Sequence, residues 1–94
     1  MNHSDTAEIP PLVMTREMGD ETVILDLTSG TYFSLNPVGA RFWELVGQGM
    51  TFGSVCESIL AEYDVDREQL EKDLCRLANE LSERSLLIIR TAAP

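Results

Sequence analysis

The chain has 94 residues and a formal net charge of −9, from sixteen acidic and seven basic residues. A chain of this size forms one small domain, because it buries only about two-thirds of its unfolded surface. The acidic excess argues against a nucleic-acid ligand, since affinity for phosphates comes largely from Lys and Arg. No apolar run approaches the roughly 20 residues that cross a membrane, and the N-terminus lacks the pattern of a secretory signal. We therefore expect a cytoplasmic domain that binds neither nucleic acid nor membrane.

Residue types that usually carry catalysis or bind metals are scarce. Cys56 and Cys75 lie nineteen positions apart, and His3 is the only histidine. A tetrahedral zinc site needs four thiolate or imidazole ligands, and a catalytic thiol needs a base. The sequence contains no glycine-rich phosphate loop and no nucleophile-elbow motif. We therefore expect no cofactor, no metal and no enzymatic activity.

The N-terminal third of the chain predicts strands. Residues 1–8 are polar and predict a flexible tail ahead of a single domain over residues 9–90. A first strand is expected over about 12–17, behind two prolines that suit an edge strand. Residues 21–27 and 31–35 are rich in β-branched, aromatic and aliphatic side chains and predict two further strands. The short segment between them contains a glycine and predicts a three-residue turn, so these two strands form a hairpin.

The two-residue period of a strand assigns two faces to this hairpin. If residue 27 pairs with residue 31, one face is wholly apolar and must be covered by the rest of the chain. That face carries Val23, Leu25, Leu27, Phe33 and Leu35. The opposite face is predicted to point away from the core and carries Ile24, Asp26, Tyr32 and Ser34.

Three helices are predicted to cover the apolar face. Asn36-Pro37 begins the first, because Asn caps free backbone amides and Pro at the first helical position has no amide to satisfy. Thr51 is predicted to cap the second helix. Asp66 with Gln69 resembles a capping box for the third, over about 67–84. A leucine stripe marks the buried side of this third helix, at Leu70, Leu74, Leu77 and Leu81. The apolar residues 86–89 are expected either to add a short strand or to tuck under the domain.

This order predicts an α+β fold of the winged helix-turn-helix type, with a three-stranded antiparallel sheet followed by three helices. A DNA-binding role is disfavoured because residues 66–84, the third helix with its cap, carry four basic residues against six acidic ones. Binding of a protein or peptide remains, since an open strand edge offers amides and carbonyls that an extended peptide completes. Phe33 and the leucines of the stripe are also consistent with a plain hydrophobic core.

The chain resembles the PqqD-like family over about residues 10–89. The resemblance is carried by ILDLTSGTYFSLNPVGARFWELV, then Phe52 and Val55 at the start of the second helix, then YDVDREQLEKDLCRLANELSERSLL. Members of this family are RiPP recognition elements, which bind the leader peptides of ribosomally synthesised, modified peptides. At this length the chain is most similar to the stand-alone leader-binding proteins of lasso-peptide biosynthesis.

The resemblance implies a non-catalytic module that holds a precursor's leader peptide as an added antiparallel strand, in the groove between the third strand and the third helix. It also implies delivery of the leader to a partner cysteine peptidase of the same pathway. The implied peptide-binding residues are Thr31, Tyr32, Phe33, Ser34, Leu35, Leu70, Asp73, Leu74 and Leu77.

Two questions stay open at the level of sequence. The third helix could turn either its Asp73 edge to the groove or the edge that carries Arg67, Glu71 and Ala78. The chain could also be a general protein-interaction or dimerisation domain without a peptide ligand.

Overall fold

A computed structural model describes residues 1–92. The elements in chain order are β1 Thr6–Glu8, β2 Val13–Met18, β3 Glu21–Asp26, β4 Tyr32–Leu35, α1 Pro37–Gly47, α2 Phe52–Glu62, α3 Arg67–Glu83 and β5 Ile88–Arg90. Strands β2, β3 and β4 form one antiparallel sheet in that order, and β1 pairs with β5 in a second sheet. The predicted α+β fold, with a three-stranded sheet followed by three helices, is confirmed.

Each helix begins at the polar cap that the sequence predicts. The cap side chain accepts a hydrogen bond from the backbone N–H three residues later in all three helices, and the caps are Asn36, Thr51 and Asp66. The capping box of α3 is only half formed, because the Gln69 side chain donates to Asp73 at 2.9 Å instead of returning to the cap. These caps set the directions in which the helices leave the sheet.

The hydrophobic core lies between one face of the three-stranded sheet and the three helices. The sheet contributes Ile24 and Leu35, and α1 contributes the largest side chains, Phe42 and Trp43. The Trp43 indole N–H donates to Thr15 Oγ1 at 2.9 Å, which fixes α1 against the first strand of that sheet. The same face of the sheet therefore supports both the core and the middle of α1.

The register of the β3–β4 hairpin differs by one residue from the predicted one. Asp26, and not Leu27, lies opposite Thr31, and Ile24 lies opposite Phe33. A shift of one residue turns every side chain of a strand to the other face. Ile24 is consequently fully buried, whereas Leu27 is 53% exposed. The predicted faces of β3 were therefore wrong, while those of β4 were right.

The physical reason for the shifted register is the turn. The Asp26 carboxylate accepts hydrogen bonds from the Thr28 backbone N–H at 2.9 Å and from Ser29 Oγ at 2.9 Å. The Asp26 carbonyl also accepts from the Gly30 N–H, and Gly30 has a φ of +77°. These bonds stabilise a turn of four residues, Leu27 to Gly30, which is one residue longer than the predicted turn.

An apolar outer face of the sheet follows from this register. The three helices pack on the opposite face, so these side chains are half-buried or exposed. The apolar side chains of the outer face are Leu12, Met14, Met18, Val23, Leu25, Leu27 and Tyr32, and Arg16 lies among them. Val23, Leu25 and Leu27 were predicted to lie in the core, and this expectation is corrected.

The N-terminal segment is packed against the domain, contrary to the expected flexible tail. Strand β1 pairs with β5, so the apolar stretch near the C-terminus forms a strand, one of the two outcomes that the sequence leaves open. The carbonyls of His3 and Asp5 accept hydrogen bonds from the first two amides of α2, Gly53 at 2.9 Å and Phe52 at 2.8 Å. The sequence pattern misses this arrangement because β1 pairs with a strand about eighty residues away.

No helix within residues 1–92 is long and apolar enough to span a lipid bilayer.

Candidate functional site

A groove of about 480 Å³ lies between β4 and α3. The chain passes directly from β4 into α1 through Asn36, so the first turn of α1 closes one side of this groove. Its walls are mainly apolar side chains, with the carboxylates of Asp66 and Asp73 on the α3 side. The groove is therefore an open apolar channel beside the edge of a sheet.

Seven of the nine peptide-binding residues predicted from the sequence line this groove. They are Phe33, Ser34, Leu35, Leu70, Asp73, Leu74 and Leu77. The other two lie outside it: Thr31 belongs to the end of the turn, and the Tyr32 side chain is 67% exposed on the outer face. The structure thus brings the predicted strand and the predicted helix together along one channel.

Helix α3 turns its Asp73 edge to the groove. The alternative edge faces the other way, because Arg67 forms an ion pair with Glu57 of α2 at 2.6 Å and Glu71 pairs with His3. Ala78 is fully buried in the core. The choice that the sequence leaves open is therefore decided by contacts of α3 with α2 and the N-terminal segment.

The free hydrogen-bonding groups of β4 belong to alternate residues. The Asp26 N–H donates to the Thr31 carbonyl at 2.8 Å, and the ladder continues through the pairs that include Phe33 and Leu35. Since inward and outward groups alternate along an antiparallel strand, the N–H and C=O of Tyr32 and Ser34 point to the open edge. An additional strand would find its partners at these two residues.

The opposite edge of the sheet is less suited to a strand. Strand β2 carries Arg16 and Glu17, and charged side chains on an edge strand discourage pairing. The cavity on that side is lined by further charged groups, including Arg41 and Glu44. Arg41 pairs with Glu62 at 2.8 Å and with Glu44 at 3.1 Å. Of the two edges of this sheet, the β4 edge is the one that borders the apolar groove against α3.

The two ends of the groove differ in charge. At the start of α3, Asp73 accepts a hydrogen bond from Gln69 at 2.9 Å, and Asp66 caps the helix. At the other end, the Arg84 guanidinium carbon lies 5.2 Å from the centre of the Phe33 ring. A cation over an aromatic face is a weakly attractive contact, so Arg84 covers part of that ring. Arg84 also pairs with Glu80 at 3.2 Å, so the groove runs from an acidic rim to one where the charges are paired.

Further lining residues were missed by the sequence reasoning: Asn36, Val38, Gly39, Val65, Asp66 and Gln69. Three of them belong to the connection from β4 to α1 and to the first turn of that helix. The signal was present in the Asn36-Pro37 cap, because a helix that starts at the end of a strand must border the same channel. The packing of the first turn of α1 against α3 was not available from the sequence.

The two cysteines lie away from the groove lining. Cys56 is buried in α2, and burial raises the pKa of its thiol to about 11. The thiolate is the reactive form, so this side chain acts as a small apolar residue at neutral pH. Among residues 1–92 there is no group of three or more His, Cys, Asp or Glu side chains arranged to hold a metal ion.

Comparison with solved structures finds two similar proteins. A structure of TbiB1 in complex with the TbiA(beta) leader peptide is 39% identical, with a TM-score of 0.77, and the match covers 85% of this chain and 93% of that one. A lasso peptide synthetase B1 complexed with the leader peptide is 26% identical, with a TM-score of 0.78, and the match covers 87% of this chain and 96% of that one.

Comparison with curated proteins finds no match. The family model of coenzyme PQQ synthesis protein D (PqqD) matches residues 21–87. This range contains β3, β4 and all three helices, and with them the whole groove lining. The chain therefore belongs to the PqqD family.

Proposed function

We propose that this protein binds the leader peptide of a ribosomally synthesised precursor as an added β-strand on β4. The observation that carries the proposal is the open edge of β4 beside an apolar groove of about 480 Å³. The similarity to two B1 proteins whose structures contain leader peptides supports it. The protein acts as a recognition module and not as a catalyst, and its site needs no cofactor.

The leader pairs with the backbone of β4 in the antiparallel direction. Its N–H and C=O groups bond to those of Tyr32 and Ser34, while the Thr31 carbonyl and N–H already bond to Asp26 and to Ser29 Oγ. Alternate leader side chains then point into the groove, opposite Phe33 and Leu35. The backbone pairing supplies affinity that tolerates sequence change, and the groove supplies selectivity.

The selective contacts are apolar. Leu70 and Leu74 are buried in α3 and form the base of the groove, and Leu77 is half-buried beside them. A few well-packed apolar anchors dominate the energy of most interfaces. Asp73 provides a polar group at the rim for a donor on the leader.

The bound leader is delivered to a cysteine peptidase of the same pathway, which is that of a lasso peptide, in the cytoplasm. Tethering the precursor through its leader raises the effective concentration of the cleavage site at the peptidase. The chemistry is performed by partners, because this module holds the substrate without altering it.

The test is a titration of the protein into the fluorescently labelled leader peptide of its cognate precursor. We expect binding at micromolar concentration or tighter, and loss of binding in Leu77→Glu, which places a charge in the groove. Asn79→Glu introduces the same side chain on an exposed position of α3 outside the groove and should bind like the wild type. Absence of wild-type binding at micromolar concentration would refute the proposal.

Two further variants sharpen this test. Leu74→Asp should abolish binding, and circular dichroism shows whether the variant is folded, since Leu74 is buried. Tyr32→Ala should weaken binding less than Leu77→Glu, because the Tyr32 side chain points away from the groove. A larger loss for Tyr32→Ala would contradict the proposed direction of the leader side chains.

A second candidate function is a dimerisation domain without a peptide ligand. The exposed apolar outer face of the sheet favours it, since contiguous apolar patches of this kind mark interaction surfaces. Sedimentation at micromolar concentration distinguishes the two functions: this alternative expects a dimer that Met14→Lys dissociates, and no affinity for the leader.

A further inference from the structure

We infer that Gly39, by having no side chain, determines the size of the leader side chain that the groove accepts. The inference rests on the proposed function and assigns a positioning role to a residue in the first turn of α1. Gly39 is buried and lines the groove, between the end of β4 and α3.

The backbone gives no reason for glycine at this position. The glycines with positive φ are Gly19, Gly30 and Gly49, so Gly39 has an angle that any residue adopts. Glycine inside a helix is less favourable than alanine, because it loses more backbone freedom on folding. A glycine in α1 that is not needed for its backbone angle therefore points to a packing requirement.

The close approach of three side chains is that requirement. A Cβ on Gly39 would lie 3.3 Å from Leu77 Cδ2 and 3.5 Å from Leu35 Cδ2. It would also lie 3.2 Å from Asn36 Oδ1, which accepts the Gly39 N–H at 2.7 Å. The Asn36 side chain is held by this bond, so the flexible end of Leu77 is the group that must move.

Movement of Leu77 changes the groove. Leu77 lies back against Gly39 and is half-buried, with its other side toward the channel. A methyl group on residue 39 would require Leu77 to shift by a few tenths of an ångström away from Gly39, toward the space that Leu77 borders on the channel side. In the proposed complex this space receives the leader side chain opposite Leu35. The absence of a Cβ therefore leaves room for a branched aliphatic or aromatic leader side chain.

The experiment compares leader binding by Gly39→Ala and the wild type. We expect Gly39→Ala to bind the natural leader at least about tenfold more weakly, since one methylene group in an apolar pocket changes affinity by about 10- to 200-fold. Each leader residue is then replaced by alanine in turn. The difference in affinity between Gly39→Ala and the wild type should disappear when one particular bulky apolar residue of the leader is replaced. Because Leu77 is the displaced side chain, Gly39→Ala should cost less affinity in a Leu77→Ala background than in the wild type.

Gly47→Ala is the matched control. It lies in the same helix, and its Cβ would meet Ile9 Cδ1 at 3.1 Å, but it is outside the groove. We expect it to bind the leader like the wild type. Thermal unfolding by circular dichroism is measured for both variants, so a loss of affinity is separated from a loss of folding.

Three results would overturn the inference while leaving the proposed function intact. They are wild-type affinity in a folded Gly39→Ala, a loss that persists at every position of the leader scan, and a loss from Gly39→Ala that is as large in a Leu77→Ala background as in the wild type. Absence of binding by the wild type refutes the proposed function instead.

Discussion

Asp5 is a buried carboxylate that ties both ends of the chain to the helices. Its Oδ2 accepts a hydrogen bond from the Asn2 N–H at 2.8 Å, and its Oδ1 accepts from the Ala92 N–H at 3.1 Å. Its carbonyl accepts from the Phe52 N–H at the start of α2. The bonds from Asn2 and Ala92 lower the pKa of Asp5 below its ordinary value, because they favour the ionised form.

This pKa predicts a pH-dependent contribution to stability. A carboxylate with a depressed pKa in the folded state stabilises the fold above its unfolded-state pKa, near 4, and this contribution is lost as the pH falls through the folded-state pKa. We expect Asp5→Asn to be less stable than the wild type at pH 7, with a difference that shrinks below about pH 4. Urea unfolding of the variant and the wild type between pH 2.5 and pH 7 measures this difference in stability.

The difference in free energy of unfolding between Asp5→Asn and the wild type separates the contribution of Asp5 from those of other acidic groups. Hydrogen bonds and ion pairs also lower the pKa values of Asp26, Glu57 and Glu62, so the wild type alone loses stability in acid for several reasons. Asp20→Asn, in the exposed β2–β3 turn, serves as the control. An Asp5→Asn difference that does not vary with pH would contradict the assignment.

At the scale of elements, β3 shows why helices are easier to predict than strand faces. Val23, Ile24 and Leu25 are three consecutive apolar residues, so alternation alone cannot choose which of them is buried. The choice depends on the turn, where the Asp26 side chain adds one residue to the loop. Helix caps act within one turn of the chain and are visible in the sequence.

The register predicts that two substitutions in this hairpin change the free energy of unfolding by very different amounts. Ile24→Ala should destabilise the protein by about 2–5 kcal/mol, because it removes a fully buried side chain. Leu27→Ala should change the free energy of unfolding by no more than about 0.5 kcal/mol, as for other exposed positions. Urea unfolding followed by circular dichroism measures both. A larger cost for Leu27→Ala than for Ile24→Ala would favour the register expected from a three-residue turn.

The whole molecule carries a net charge of −9, whereas the lining of its groove is largely uncharged. The basic residues of α1, of α3 with its C-cap Arg84, and of β5 form ion pairs, such as Arg67 with Glu57 and Arg90 with Glu8. An acidic molecule attracts basic peptides over a distance set by the ionic strength, about 8 Å at 0.15 M. Charge therefore affects how fast a leader arrives more than how it is held.

This distribution predicts a salt-dependent association rate. A leader with a Lys added outside the segment that enters the groove should associate faster than the natural leader at low salt. The gain should fall as the ionic strength rises, while the dissociation rate changes little. Stopped-flow fluorescence at 0.02 M and 0.5 M NaCl measures both rates. A gain that is independent of salt would show that the added Lys makes a direct contact instead.

Local sequence patterns predict the order of elements, the three helix caps and most of the groove lining. These follow from local patterns: the period of α3 places Leu70, Leu74 and Leu77 along one side, and Asn36-Pro37 fixes where α1 begins. Family resemblance supplied the expectation of an added strand on β4. Local chemistry was sufficient for these features because each depends on residues within a few positions of one another.

Tertiary contacts determine three features that local sequence patterns do not: the faces of β3, the edge of α3 that borders the groove, and the place of the N-terminal segment. Each depends on contacts between distant residues: β1 with β5, Glu71 with His3, and Gly39 with Leu77. Packing energies of this kind are set by which surfaces meet, and a one-residue change in a turn reverses them. The width of the groove also depends on tertiary contacts. The selection of a ligand depends on them for the same reason.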